Sequence, residues 1–196
     1  LALQLTLEQG KPLREARIEI TRFVHTLEHY AGLAKSLRGA YVPSLDVDAH
    51  GLVVRRPLGV VVAIVPWNFP TTLLGNKLGP ALVCGNTVVF KPARAGAMSA
   101  VKLMEVFRDA GVPDGVINMV MGPGETVGDE LTHSAAIDGI VFTGSYEVGM
   151  DLFRTFSTRY PRPCIVEMGG KNPAIVLADA DLDEAAEGIM RAAFGF

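Results

Sequence analysis

The sequence predicts an α/β fold in which a parallel sheet is covered by helices on both faces and a second, incomplete domain follows. Residues 60–65 (VVVAIV) are apolar at every position, which is typical of a central strand buried on both faces. After this strand, short β-branched runs alternate with segments of helical periodicity to the end of the chain. Such alternation is typical of parallel sheets built from strand, helix, strand units.

The residues before this strand divide into two parts. Residues 1–40 have mainly helical periodicity, and we expect N-terminal helices there. Residues 41–57 contain short extended pieces separated by turn residues, so we expect an extended arm. The adjacent Arg55 and Arg56 suit an anion site or the exposed charges of an edge strand, and we favour the second interpretation.

The segments after the arm follow one another in a regular order. The predicted strands are 60–65, 86–91, 116–121, 137–142, 164–167 and 174–177, and the predicted helices are 71–84, 97–110, 126–132, 145–155 and 182–193. We therefore assign residues 58–168 to a Rossmann-like domain and residues 169–196 to the start of a second domain. This architecture is typical of nucleotide-binding proteins, but shape alone assigns no function.

Length, composition and charge exclude several classes of protein. The 196 residues, 49% of them hydrophobic, suffice for about one domain and part of another. A net charge of −3 gives the chain no general attraction to nucleic acid or to a membrane surface, and no apolar run is long enough for a transmembrane helix. His25 and His29 have the spacing of metal ligands on a helix, but no third ligand accompanies them. We therefore expect no metal.

The first residues and the cysteines bear on the origin of the chain. Residues 1–10 contain no Met, no basic n-region and no cleavage site, so we expect a fragment of a longer protein without a signal peptide. Cys84 and Cys164 fit neither a metal site nor a disulfide framework, which favours a reducing, cytoplasmic location. We interpret both as small core residues.

The turn after the first buried strand is the principal candidate for chemistry. Pro66 and Pro70 restrict the backbone on either side, so Trp67, Asn68 and Phe69 are held by the backbone as well as by packing. The turn lies at the carboxyl end of the strand, where open α/β sheets bind their ligands. Asn68 is therefore a side-chain amide donor on a rigid mount.

Three later turns are candidates for nucleotide binding. Lys91 and Arg94 follow the second strand, and their charges suit a ribose or phosphate contact as well as an ordinary loop. The glycines of residues 122–128 are spaced G-x-G-x-x-x-G, which departs from the dinucleotide fingerprint, and close packing of a helix on the sheet explains them equally well. Ser145, at the start of a helix, suits a pyrophosphate site or a helix cap.

Glu167 is a candidate general base. It ends a strand and precedes Met168 and two glycines, which leave little side-chain bulk around the carboxylate. An isolated glutamate in a loop is usually structural, so a catalytic interpretation of Glu167 needs support from other motifs in the chain.

Five motifs occur in a fixed order. They are PWNFP (66–70), GNKLGPAL (75–82), CGNTVVFKPA (84–93), FTGSYEVG (142–149) and EMGGKNP (167–173). In this order and at these separations they resemble the motifs of the aldehyde dehydrogenase superfamily over nearly the whole chain. The resemblance implies a cofactor domain, the start of a catalytic domain and an oligomerisation arm within residues 41–57.

The family's roles then carry over to the matching positions. The resemblance implies that Asn68 is the side-chain donor of an oxyanion hole, that Glu167 activates water and that Lys77 relays or positions a proton near that glutamate. The implied cofactor contacts are Lys91 for the adenosine ribose, Trp67 and Ser145 for the pyrophosphate, Val65, Pro66, Ala93, Arg94, Gly124, Gly144 and Val148 along the cleft, and Met168 and Gly169 on the nicotinamide side.

Two departures from the family pattern affect function. Arg94 stands where many members have a glutamate that binds the adenosine ribose, and a guanidinium attracts a 2′-phosphate that a carboxylate repels. This favours NADP, or use of both cofactors, over strict NAD. The family's nucleophilic cysteine is expected beyond Phe196, and we expect neither Cys84 nor Cys164 to replace it.

The resemblance implies oxidation of an aldehyde to a carboxylic acid with hydride transfer to NAD(P), in a homodimer or homotetramer when full length. The presence of Glu167 favours a member that hydrolyses its acyl intermediate. We expect residues 1–196 alone to be inactive. The alternative is a catalytically silent nucleotide-binding or structural protein of the same fold.

Overall fold

The computed structural model describes residues 1–43, 46 and 48–195. Its elements, in chain order, are α1 (Ala2–Gln9), α2 (Leu13–Leu33), β1 (Ala40–Pro43), β2 (His50–Val53), β3 (Val60–Ile64), α3 (Pro70–Val83), β4 (Thr87–Lys91), α4 (Ala97–Asp109), β5 (Ile117–Met119), α5 (Asp129–His133), β6 (Gly139–Gly144), α6 (Tyr146–Thr155), β7 (Cys164–Met168) and α7 (Leu182–Phe194). The predicted α/β class is confirmed.

The main sheet has five parallel strands with β3 at its centre. The strand order is β5-β4-β3-β6-β7, and Val62 of β3 lies opposite Val89 of β4 on one side and Ile140 of β6 on the other. The chain thus runs outward from β3 to β5 and then returns to the other side of β3. Such a reversal leaves a crevice between the carboxyl ends of the two strands at the switch point, here β3 and β6.

Each face of the sheet has its own hydrophobic core. Alternate residues of a strand point to opposite faces, so neighbours in β3 belong to different cores. The core beneath α2, α3 and α4 contains Phe23, Ala63, Val65, Leu74, Leu78, Val88, Phe90, Ala100, Leu103, Phe107 and Ile117. The core beneath α5 and α6 contains Val62, Leu131, Ile137, Ile140, Phe142, Leu152 and Phe156. Burial on both faces explains why β3 is apolar at every position.

The N-terminal helices form a further layer against α3 and α4. Helix α2 packs along α3, where Gly75 and Gly79 of α3 face Phe23 and Tyr30. The predicted N-terminal helices are therefore present, and they reach the sheet through α3.

The arm contains an antiparallel hairpin. Strands β1 and β2 pair from Ala40↔Val53 to Pro43↔His50, and their side chains are largely exposed. Three residues of the arm predicted over 41–57, numbers 44, 45 and 47, lie outside the described residues. No helix within residues 1–43, 46 and 48–195 is both long and apolar enough to cross a membrane.

Two sequence interpretations are wrong. Residues 174–177 form no strand, and Ile175 is 81% exposed, because no described strand lies beside this β-branched run to pair with its backbone. Cys84 is exposed rather than a core residue, because it follows the last turn of α3 at the surface. Cys164 is half-buried and packs against the core beneath α6.

The close approach of α2 and α3 predicts a cost for a methyl group at Gly75. A Cβ there would lie 2.8 Å from the ring of Phe23, which is only 5% exposed and cannot move aside freely. We expect Gly75→Ala to lower the free energy of unfolding by about 1–3 kcal/mol, despite the better helix propensity of alanine.

Gly32→Ala is the matched control, because Gly32 lies in α2 with no atom within 4 Å of an added Cβ. It should be neutral or stabilise by up to about 1 kcal/mol. Urea unfolding of both variants measures the difference, and equal effects would contradict the packing argument.

Candidate functional site

A cleft lies at the carboxyl edge of the sheet, at the switch point. It consists of two adjoining cavities of about 490 Å³ each, both lined by Ile64, Lys91, Phe142 and Val148. The turn lobe is lined in addition by Val65, Pro66, Trp67, Asn68, Leu73, Pro92, Ala93, Thr143, Gly144, Ser145, Met168 and Gly169. The helix lobe is lined in addition by Gly124, Glu125, Gly128, Asp129, Thr132, His133, Glu147, Asp151 and Leu152. A cleft of two joined lobes suits a ligand of two parts.

Asn68 lies in the turn between β3 and α3 and is half-buried at the edge of the turn lobe. Its Oδ1 accepts a hydrogen bond from the backbone N–H of Phe69 at 3.0 Å. Its carbonyl oxygen accepts from Lys11 Nζ at 2.6 Å. The first bond restrains the side-chain amide and the second restrains the backbone of Asn68. The Nδ2 group is the donor that the side chain can offer to a ligand.

Three helices begin at this edge, after β3, β4 and β6, and they differ in what occupies their first N–H groups. At α3, the carboxylate of Glu19 accepts from Thr71 N at 2.9 Å. At α4, the carboxylate of Glu8 accepts from Met98 N and Ser99 N, both at 2.8 Å. The partial positive charges of these two helix ends are thus already neutralised.

Helix α6 begins differently. Its N-cap is Ser145, whose hydroxyl accepts from Val148 N at 3.3 Å, and both residues line the turn lobe. No carboxylate among the described residues accepts a hydrogen bond from the first N–H groups of this helix, although Glu147 lies in its first turn. The positive end of the helix adjoins the cleft. This is the arrangement that binds phosphate.

Lys91 supplies a cation at the junction of the lobes. It is the last residue of β4 and only 9% exposed. Burial lowers the pKa of Lys91, and the nearby carboxylate of Glu125 partly opposes this shift. A half-desolvated ammonium of this kind favours a ligand that brings hydrogen-bond acceptors to it.

Lys77, Thr143 and Glu167 form a polar cluster on the α3 side of the sheet. Lys77 Nζ donates to Thr143 Oγ1 at 2.6 Å, and Thr143 lies beside Glu167 in the pairing of β6 with β7. Val166 and Met168 pack on the α6 side, so Glu167 points to the α3 side. Burial lowers the pKa of Lys77 to about 8, and the charge of Glu167 opposes the shift. Because Thr143 also lines the turn lobe, it links this cluster to the Asn68 cavity.

Other polar groups do not form such a site. Within the described ranges, no group of three or more His, Cys, Asp or Glu side chains is placed to hold a metal ion. Cys84 follows α3 and Cys164 begins β7, so both lie toward the amino edge of the sheet, away from the cleft.

The aldehyde dehydrogenase family model matches residues 1–196. The chain belongs to this family.

Its relatives among curated proteins include two bacterial semialdehyde dehydrogenases. The α-ketoglutaric semialdehyde dehydrogenase of Bacillus subtilis is 45% identical over 194 residues, covering 99% of this chain and 40% of the relative. The NADP⁺ succinate-semialdehyde dehydrogenase of Escherichia coli is 42% identical, with 99% and 40% covered. The chain thus spans about 40% of the length of these relatives.

Solved structures of the family have the same fold. The NAD-dependent aldehyde dehydrogenase of Sinorhizobium meliloti is 42% identical with a TM-score of 0.91, covering 97% of this chain and 38% of that one. The NADP-dependent glyceraldehyde-3-phosphate dehydrogenase of Bacillus halodurans, complexed with NADP, is 40% identical with a TM-score of 0.90, covering 98% and 41%. The comparison includes members with each cofactor.

The cleft of this member of the family brings together most of the positions identified from sequence. Those in the turn lobe are Val65, Pro66, Trp67, Asn68, Ala93, Gly144, Ser145, Met168 and Gly169; Gly124 lies in the helix lobe, and Lys91 and Val148 lie in both. Arg94 is exposed and lines neither lobe. Lys77 and Glu167 also line neither lobe, but both lie beside Thr143 of the turn lobe.

Sequence reasoning missed Thr143 and the acidic residues of the helix lobe. Thr143 is a polar residue at the end of the otherwise apolar β6, next to a glycine, which is the signal that could have identified it. The acids Glu125, Asp129, Glu147 and Asp151 come from two separate segments, and only the fold brings them around one cavity.

The lowered pKa of Lys77 predicts a pH dependence of stability. Between about pH 8 and 10.5 the unfolded chain keeps the Lys77 proton while the folded chain has lost it, so this group makes the folded state more stable as pH rises. Below pH 8 both states are protonated and its contribution is constant. We expect Lys77→Met to lack this rise, which urea unfolding across the window measures. Lys91, whose pKa is also lowered by burial, is present in both proteins and contributes to both stability curves. The same pH dependence of stability in wild type and variant would therefore contradict the assignment of the rise to Lys77.

Proposed function

We propose that the complete natural polypeptide containing these residues oxidises an aldehyde to a carboxylic acid and transfers a hydride to NAD(P). The single observation that carries this proposal is the turn lobe, where the Asn68 amide, the start of α6 and Thr143 line one cavity. Family membership and the printed activities of the relatives support it.

The residues of the cleft fit a dinucleotide. Ser145 and the first turn of α6 suit its pyrophosphate, because this helix end has no carboxylate cap. Lys91, between the lobes, suits ribose hydroxyls, and Trp67, 52% exposed beside the turn lobe, offers an apolar surface. When bound, the nicotinamide supplies the hydride acceptor.

Asn68 has the electrostatic role. Its backbone carbonyl and its Oδ1 are both engaged, so Nδ2 is held as a donor at the edge of the cavity. An amide N–H held in this way stabilises negative charge as it develops on a carbonyl oxygen that is attacked by a nucleophile. The thiol nucleophile belongs to residues outside this chain, because Cys84 and Cys164 lie at the opposite edge of the sheet.

Glu167 and Lys77 have the proton-transfer roles. A carboxylate at this position accepts a proton from the water that hydrolyses the acyl enzyme. Lys77, with a pKa of about 8, changes its charge close to neutral pH and so tunes the proton affinity of Glu167 through their Coulombic coupling. Thr143 holds the ammonium in place.

Arg94 favours NADP over NAD in our proposal. Its guanidinium follows Ala93, a lining residue of the turn lobe, in a 3-10 turn at the cofactor edge. The side chain is exposed, so its planar guanidinium is available to a phosphate at the rim of the cleft.

The wider assignments are also proposals. We propose residues 1–40 as N-terminal helices of the cofactor domain, 41–57 as an oligomerisation arm, 58–168 as the dinucleotide-binding domain and 169–196 as the start of the catalytic domain. The exposed apolar side chains of the hairpin support a homodimer or homotetramer. The two free cysteines support a cytoplasmic location.

Replacing Asn68 tests the proposed chemistry. In the complete natural polypeptide we expect Asn68→Ala to lower kcat about 10²–10³-fold with succinate semialdehyde, because the developing oxyanion loses its donor. NADP affinity, measured by fluorescence titration, should change by less than about threefold.

Asn118→Ala is the matched control, because this exposed amide lies in β5 at the edge of the sheet and bonds only to Gly115 in the described structure. Its kcat should equal that of the wild type. Unchanged turnover in Asn68→Ala would refute the role of this amide, and the absence of turnover in the wild type with any aldehyde would favour the silent nucleotide-binding alternative.

Cofactor preference is tested separately at Arg94. We expect Arg94→Glu to raise the Kd for NADP by about 10–100-fold, since an attraction for the 2′-phosphate becomes a repulsion. The Kd for NAD should change by less than about threefold. Arg108→Glu, at an exposed position in α4, is the charge-matched control. A clear preference of the wild type for NAD would contradict the proposal.

A further inference from the structure

A buried ion pair lies in the N-terminal layer, outside the cleft. Lys11, in the turn between α1 and α2, donates through Nζ to Glu19 Oε2, and both side chains are 0% exposed. Burying two charges costs desolvation free energy, and a pair of this kind is often replaced by apolar residues without loss of stability. Packing alone therefore gives no reason for charged residues here.

The cation of this pair holds the backbone of the turn after β3. Lys11 Nζ donates to the carbonyl oxygen of Asn68 at 2.6 Å and lies 4.0 Å from the ring centroid of Phe69. Two residues earlier, Gln9 Nε2 donates to the carbonyl oxygen of Trp67 at 2.6 Å. The carbonyl groups of two successive turn residues are thus fixed from the N-terminal layer.

The anion of the pair holds the other end of the same turn. Glu19 Oε1 accepts from Thr71 N at 2.9 Å, from Thr71 Oγ1 at 2.7 Å and from Thr72 N at 3.4 Å. Pro70 has no N–H, so Thr71 and Thr72 provide the first backbone donors after the turn. One ion pair therefore joins the carbonyl side of Asn68 to the N-terminus of α3.

We propose that Lys11 and Glu19 are positioning residues for the Asn68 amide. This inference rests on the proposed function, in which Asn68 stabilises the oxyanion. Lys11 fixes the carbonyl of the peptide group that follows Asn68, and Glu19 fixes the backbone at Thr71. A displacement of the Asn68 amide by about 1 Å would cost much of its effect on the transition state. Neither residue touches the turn lobe, so both act through Asn68.

A neutral replacement of the pair separates positioning from stability. Lys11→Met combined with Glu19→Gln keeps similar volumes and leaves no buried unpaired charge, so we expect the protein to fold with a similar Tm. In the complete natural polypeptide, with succinate semialdehyde, kcat should fall about 10–100-fold, whereas the Kd for NADP should change by less than about threefold.

Glu8→Gln is the matched control. Glu8 also caps a helix of the next layer, and in the described structure the hydrogen bonds of its carboxylate go to Met98 and Ser99 of α4 and not to the turn after β3. We expect it to change Tm by a few degrees at most and to leave kcat unchanged. An equal fall of kcat in this variant would overturn the proposal, since any loss of a helix cap would then suffice.

A double-mutant cycle decides whether the pair acts through Asn68. In an Asn68→Ala background, the paired replacement should lower kcat by less than about twofold, because there is no amide left to position. If the effects of the paired replacement and of Asn68→Ala on kcat multiply, the inference is overturned while the role of Asn68 stands. If Asn68→Ala alone leaves kcat unchanged, the proposed function is refuted instead.

If the paired replacement does not fold, Gln9→Leu tests the same point from its half-exposed position. It removes only the bond to the carbonyl of Trp67. We expect a fall of about threefold in kcat that vanishes in the Asn68→Ala background, and an unchanged kcat in both backgrounds would count against the inference.

Discussion

The turn between β3 and α3 has too few backbone hydrogen-bonding groups of its own to fix its shape. Pro66 and Pro70 lack N–H groups, and the turn lies at the edge of the sheet, where no strand pairs with it. Its position is determined instead by groups from the N-terminal layer, which bond to Trp67, Asn68 and Thr71. The geometry of the cleft thus depends on helices that contribute no lining residue to it.

The distribution of carboxylates over helix ends follows from the same layer. Glu8 and Glu19 neutralise the N-termini of α4 and α3, and the first residues of α6 remain for an anion from solution. In many doubly wound folds the helix after the first strand binds the phosphate. Here the carboxylate of Glu19 occupies that place. This repulsion of an anion at α3 is consistent with our proposal that the phosphate binds at α6, across the crevice.

Features that depend on residues close together in the sequence could be predicted, whereas features that depend on contacts between distant residues could not. Residues 60–65 could be recognised as a strand buried on both faces, because burial requires an apolar residue at each position of the run itself. Positions next to strand ends, such as Asn68 and Ser145, could be placed at the cleft because parallel strands all end at one edge. The bonds from Glu8 and Glu19 join residues 91 and 52 positions apart, respectively, and no local pattern encodes them. Residues 174–177 have strand composition, but a strand also needs a neighbour, which composition does not report.

Two of the buried lysines near the carboxyl edge, Lys77 and Lys91, lie in different parts of the site. Lys77 lies on the α3 side and Lys91 between the lobes of the cleft, and burial lowers the pKa of both. Each is opposed by a different carboxylate, Glu167 for Lys77 and Glu125 for Lys91. The two pairs thus place each lysine beside a carboxylate of its own. Under the proposed function, nucleotide binding and proton transfer involve different lysine–carboxylate pairs, which separate substitutions can change.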